Sequence, residues 1–155
     1  MYVFDNSPLS TLFRNYYPRR FPTLWRNFHA LVQEGGIVST REVRREIEDG
    51  AVQSLREWAE GNGDTFPAPV AAEGLFVGKI FAVEHFRQNI EQRKLLNGGR
   101  NADPFVIAKA AVESATVVTM ELLKPNGTKI PNICDHFKVP CLSLEEFMEA
   151  EGWTF

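Results

Sequence analysis

Short apolar runs closed by turn residues, and kept apart by long helical patterns, leave this chain few ways to fold. Tyr2-Val3-Phe4 stops abruptly at Asp5, with Ser7-Pro8 just beyond, and reads as a buried strand. Ile37-Val38 follows the break at Gly35-Gly36. Thr116 to Met120 is β-branched and compact, which favours a third buried strand. Val139-Pro140-Cys141-Leu142 supplies a fourth, near a sheet edge because its proline cannot donate to a ladder. The order is strand, helices, strand, helices, strand, strand, helix. Such alternation predicts an α/β protein, a three-layer α/β/α sandwich with a central, mainly parallel sheet, in one domain over residues 1–155.

The helical segments carry their own punctuation. Ser7 with Pro8 resembles an N-cap and first helical residue, opening a helix over about residues 9–17. Trp25, Phe28, Leu31 and Val32 have helical spacing. Ser39 and Glu42 form a capping-box pattern ahead of the Val43/Ile47 stripe. Gly50 interrupts that helix, and Val52, Leu55, Trp58 and Ala59 resume the period. Phe76/Ile80, Val77/Phe81 and Phe86/Ile90 make the middle third helical, ending in the Asn97-Gly98-Gly99-Arg100 loop. Asp103-Pro104 reads as an N-cap with proline at the first position, and Ser143 with Glu146 as a capping box for the last helix.

At 155 residues, 44% hydrophobic and 24% charged, the chain is long enough to bury a core without staples. No stretch approaches the ~20 apolar residues of a membrane span, and the first residues do not read as a signal peptide. The expectation is therefore a cytoplasmic protein with Cys134 and Cys141 as free thiols and no membrane partner. A net charge of −3 argues against a broad basic nucleic-acid face. It does not exclude an enzyme that handles nucleic acid locally, since such a site needs negative charge of its own to hold a metal. Dinucleotide and P-loop fingerprints are absent from the sequence.

Four acids stand where such a site is built. Asp5 lies at the exit of a buried strand, where ligands gather in open parallel sheets. On the next helix, turning ~100° per residue, Glu46 flanks the Val43/Ile47 stripe whereas Glu42 points farther toward solvent. Asp103 opens a helix, where the positive dipole end favours its ionised form. Glu121 lies just beyond the third apolar strand. Carboxylates without an accompanying His or Cys cluster point to a hard cation, Mg²⁺ or Mn²⁺ rather than Zn²⁺. Cys134, His136 and Cys141 make a weak zinc pattern with no fourth ligand.

Several of these segments resemble the PIN-domain ribonucleases. Val3-Phe4-Asp5-Asn6-Ser7 is similar to their hydrophobic-Asp-x-Ser/Asn opening, and Ser39 to Ile47 to their second strand and the helix ending in Glu-Ile. Asp103-Pro104-Phe105-Val106-Ile107-Ala108 resembles their Asp-x-hydrophobic-Ile-Ala helix start, and Val117 to Glu121 their hydrophobic-hydrophobic-Thr-x-Asp segment. Glu121 departs from the pattern, since Asp is commoner there.

The likeness runs in order along nearly the whole chain. It is closest to a PIN-like branch with a long helical middle, suspected to be toxins of the VapC type. The resemblance implies a metal-dependent endoribonuclease, the toxin of a toxin–antitoxin pair. Asp5, Glu46 and Asp103 would hold Mg²⁺ or Mn²⁺, Glu121 would be a fourth catalytic acid, and Ser7 and Thr119 would orient the acids. Its partners would be substrate RNA, a cognate antitoxin and a second copy in a homodimer. The alternative is a PIN-like protein that has lost activity and acts through protein contacts. Arg93, Lys94 and Arg100, in the polar stretch leading to Asp103, are candidate RNA-phosphate contacts. Arg14, Arg19, Arg20 and Arg26, among Phe13, Tyr16, Tyr17 and Phe21, form a second basic group suited to RNA or an acidic partner.

Overall fold

Four short strands, β1 (Tyr2–Phe4), β2 (Ile37–Val38), β3 (Thr116–Val118) and β4 (Cys141–Leu142), lie side by side in the order β2-β1-β3-β4. The structure is a computed structural model and describes residues 1–155 except Asn97, Gly99 and Arg100. Every strand pair is parallel, with Tyr2 opposite both Ile37 and Thr116, and Val117 opposite Cys141. Parallel strands need crossovers, and helices provide them: α1 (Asn6–Asn15) and α2 (Pro22–Gln33) before β2, α3 (Arg41–Asp49), α4 (Gln53–Gly61), α5 (Ala71–Phe81), α6 (Glu84–Leu96) and α7 (Asp103–Glu113) before β3, and α8 (Ile130–Phe137) before β4, with α9 (Leu144–Ala150) following the last strand. The result is the expected three-layer α/β/α sandwich. β4 is an edge strand, as expected, and Pro140 lies just before it. No helix among the described residues is long and apolar enough to cross a membrane.

The core explains why so few strand residues suffice. Val3, Phe4, Val117 and Val118 are fully buried. Phe4 meets Phe147 of α9 edge-to-face at 5.0 Å on one side and Phe28 of α2 at 6.4 Å on another. Strands covered on both faces read as continuous apolar runs, and these do. Phe13, expected near a partner surface, packs against Trp25 at 4.7 Å and Trp58 at 5.4 Å within the molecule. Tyr17 beside it is exposed.

Three helix starts differ from expectation, and each difference serves the sheet's carboxyl edge. α1 begins at Asn6, with Asp5 in the cap position, because extended backbone at Asp5 (φ −73°, ψ 169°) turns directly into helix. Ser7 is thus inside the helix rather than capping it. At α3 the cap is Thr40, whose hydroxyl accepts from Val43 N at 3.2 Å, and not the Ser39/Glu42 box. Ser39 instead donates from its buried hydroxyl to Phe4 O at 2.6 Å, tying the end of β2 to β1. Asp103 is the first residue of α7 rather than its cap, and its N–H is taken by Asn101 Oδ1 at 3.1 Å. The Ser143/Glu146 box does form, with reciprocal bonds of 2.7 and 3.2 Å.

Candidate functional site

Because all four strands are parallel, their carboxyl ends open on one edge, and the chain's acids collect there. Asp5 follows β1, Glu46 comes from α3, Asp103 starts α7 and Glu121 lies three residues past β3. The four line one cleft of ≈ 430 Å³. Every acid singled out in the sequence is therefore brought to a common place from a separate segment. Asp49 lines the same cleft, one helical turn beyond Glu46, as do Asn6, Asn101 and Lys129. Helix spacing from Glu46 would have found Asp49. Asn101 carried a weaker signal, its place two residues before Asp103, where an Asn side chain bonds its own backbone.

Asp5 is the most firmly held of the four and is buried. Its Oδ2 accepts from Ser7 Oγ at 2.9 Å and from Thr119 Oγ1 at 3.1 Å. The same two hydroxyls accept in turn, Ser7 from Met120 N at 3.0 Å and Thr119 from Glu121 N at 3.2 Å. Each hydroxyl's proton is thereby directed at Asp5, and the chain after β3 is fixed to α1 by the same atoms. Ser7→Ala leaves Met120 N–H and one Asp5 bond without a partner. The expected result is a loss of about 1 kcal/mol or somewhat more in urea unfolding, with the fold retained.

Glu46 and Asp103 carry the electrostatic cost of the cluster. Glu46 Oε1 accepts from Ala102 N at 3.0 Å, which favours its charge, yet burial first, and then Asp5 and Glu121, push its pKa up. Asp103 is raised to about 8, chiefly by burial, with Asp5 and Glu121 adding to the effect and Glu46 contributing less. Arg93 opposes this without cancelling it: Arg93 Nη1 donates to Asp103 Oδ2 at 2.5 Å, and Nη2 donates to Thr128 O. Arg93, expected to contact RNA phosphate, is thus the counter-ion of an acid inside the cleft. Lys94 faces a different cavity, between α3, α6 and α7. Arg100 lies outside the described residues.

A carboxyl raised on folding binds its proton more tightly in the native state. Asp103's contribution to stability is complete below its ordinary value of 3.8 and is lost as pH climbs through about 8. Thermal melts in a chelator at pH 5 and pH 8.5 should show the lower Tm at pH 8.5. Asp103→Asn should reduce that difference; an unchanged difference in the variant would place the effect elsewhere.

Glu121 has a structural employment of its own. Its Oε2 accepts from Ile130 N at 2.8 Å, the first N–H of α8, where a negative charge meets the positive end of the helix. The longer side chain at this position reaches that N–H. Among the described residues, no group of three or more His, Cys, Asp or Glu side chains is arranged, as it stands, to hold a metal ion. The donor chemistry nonetheless fits a hard cation. In each of the four acids one oxygen is engaged and the other has no hydrogen bond among the described residues: Asp5 Oδ1, Glu46 Oε2, Asp103 Oδ1 and Glu121 Oε1. None of these four oxygens is a buried, unpartnered atom. Gathering them around an ion requires side-chain movement.

No curated protein and no solved structure shows significant similarity to the chain. Residues 2–155 match the family model described as Domain of unknown function (DUF4411), and the chain belongs to that family.

Proposed function

We propose that this DUF4411 chain is a PIN-like endoribonuclease that hydrolyses RNA phosphodiesters with Mg²⁺ or Mn²⁺. One observation carries the reading: Asp5, Glu46, Asp103 and Glu121, from four separate segments, line one cleft at the carboxyl edge of a parallel sheet. Burial first, and then the neighbouring acids, raise the pKa of Glu46 and Asp103, and Arg93 is ion-paired with Asp103. Carboxyls perturbed by burial and by charged neighbours in a cleft, as Glu46 and Asp103 are, are functional-site candidates.

Asp5, Glu46 and Asp103 would hold the ion, with Glu121 completing the acidic rim while it caps α8. When bound, Mg²⁺ or Mn²⁺ supplies Lewis acidity for in-line attack of water on the phosphodiester. Ser7 and Thr119 hold Asp5 by one oxygen and leave the other to the cleft. The acids repel the scissile phosphodiester unless their charge is offset, so RNA bound elsewhere on the chain should be cut only with the cation present. Lys129, at the same cleft, offers a cation to the phosphate. None of the three histidines lines the cleft, and the proposed chemistry uses none as a base. By the same resemblance the protein would be a cytoplasmic toxin, restrained by an antitoxin and able to form a homodimer.

A second reading has its own support. Arg93 on Asp103 and Ile130 N–H on Glu121 give two of the acids structural partners. A PIN-like protein that binds proteins and does not cut RNA would keep such contacts. Incubating the purified chain with end-labelled single-stranded RNA separates the two. The nuclease reading expects strand scission with Mg²⁺ or Mn²⁺ that EDTA abolishes. Intact RNA under both ions, or scission indifferent to EDTA, would leave the binding-protein reading.

A further inference from the structure

A second cleft lies against the acidic one, sharing Asn101 with it. Pro104, next after Asp103, and Arg45, next before Glu46, belong to its lining. The space measures ≈ 330 Å³. Phe81, Ile90, Pro104 and Phe105 give it apolar walls, and Arg41, Arg45 and Lys94 give it cations. Two polar atoms there are closed to solvent and have no partner, the acceptor Glu42 Oε2 and the donor Asn101 Nδ2. Arg41 donates to the other Glu42 oxygen through Nε at 3.1 Å and Nη2 at 2.8 Å. Glu42, expected to point toward solvent, has a side chain only 10% exposed.

We propose that this second cleft is a nucleotide subsite, taking one base of single-stranded RNA whose neighbouring phosphodiester enters the acidic cleft. The proposal rests on the nuclease reading and names how that site would take its substrate. Aromatic and proline walls offer a stacking surface that tolerates any base. Glu42 Oε2 and Asn101 Nδ2, an acceptor and a donor without partners, would meet polar atoms of a base once their side chains turn into the cleft on binding. The cations sit where the flanking phosphates would run. A purely anionic ligand would gain from the cations but would leave Glu42 Oε2 facing like charge. A purely apolar one would leave both polar atoms without partners.

Fluorescence anisotropy of the full chain in EDTA tests this, because binding is then read without cleavage. The probes are a 5′-labelled single-stranded RNA oligomer and an abasic ribose-phosphate oligomer of the same length. The base-bearing oligomer should bind at least ~5-fold tighter. Phe105→Ala should erase most of that margin, and the isosteric Glu42→Gln should reduce it without threatening the fold. Lys94→Ala, at an exposed position, should weaken both oligomers alike and lower the slope of log K against log salt by about one. Equal binding of the two oligomers by wild type overturns the subsite, as does a margin that Glu42→Gln and a folded Phe105→Ala both leave untouched. A margin with no cleavage under Mg²⁺ keeps the subsite and sinks the nuclease reading. Metal-dependent cleavage with equal binding of the oligomers does the reverse.

Discussion

Asp5→Asn should lower Mg²⁺-dependent RNA cleavage by roughly 100-fold or more while leaving the protein folded. The magnitude follows from comparison: loss of a group that merely orients a metal ligand costs about 10–100-fold in affinity or activity, and removing the ligand's charge should cost no less. The fold should survive because Asn has nearly the shape of Asp. Its amide oxygen can accept from Ser7 Oγ and Thr119 Oγ1 as Asp5 Oδ2 does now. The amide NH₂ then replaces Oδ1, the oxygen with no hydrogen bond, and presents donors where a cation would need an acceptor. Matching melting curves with divergent cleavage are the expected pair of results. Equal cleavage by wild type and variant would sink the nuclease reading, and would also expose a contaminating nuclease. Expression of the two forms extends the test, since growth arrest by wild type alone is the outcome a toxin predicts.

Much of this site could be read from the sequence because its acids mark transitions between elements. Asp5 ends an apolar run, Asp103 precedes a proline at a helix start, and Glu121 follows a β-branched strand. Those positions depend on local pattern, and parallel topology then brings them to one edge. Glu46 was separable from Glu42 by helical angle, yet the same reasoning misplaced Glu42. The angle puts Glu42 away from the Val43/Ile47 stripe, but a second surface covers that side of α3, and Arg41 rather than Ser39 takes its carboxylate. The caps show a similar limit. Ser39 and Thr40 are both able to cap, and only the tertiary demand of Phe4 O for a donor decides between them. The ion pair of Arg93 was out of reach for the same reason. A polar helix face looks solvated in sequence, and nothing local reveals that one arginine on it turns toward a carboxylate ten residues away.

Arg93 is the charge that Asp103 now relies on, and it pairs with the carboxylate whose other oxygen an incoming ion would approach. Arg93→Ala should therefore tighten Mn²⁺ binding, by ~5-fold or more if the exchange couples as typical paired sites do. Stability in chelator should fall at the same time. Breaking a mostly buried ion pair typically costs about 3–5 kcal/mol because a charge is left uncompensated. Here the loss should lie at or below the low end, since Asp103, already raised to about 8, can take a proton instead of remaining an ion. Mn²⁺ should then raise the variant's Tm more than wild type's, because an ion that binds only the folded state stabilises in proportion to its affinity. Calorimetric titration with Mn²⁺ and melts with and without the ion read both effects, and neither depends on RNA cleavage. Weaker Mn²⁺ binding by the variant, joined to weaker RNA binding in EDTA, would return Arg93 to the role the sequence suggested, a contact for RNA phosphate. Tighter Mn²⁺ binding with RNA binding unchanged would make Arg93 the resident cation of the cleft, exchanged for metal when the site is loaded.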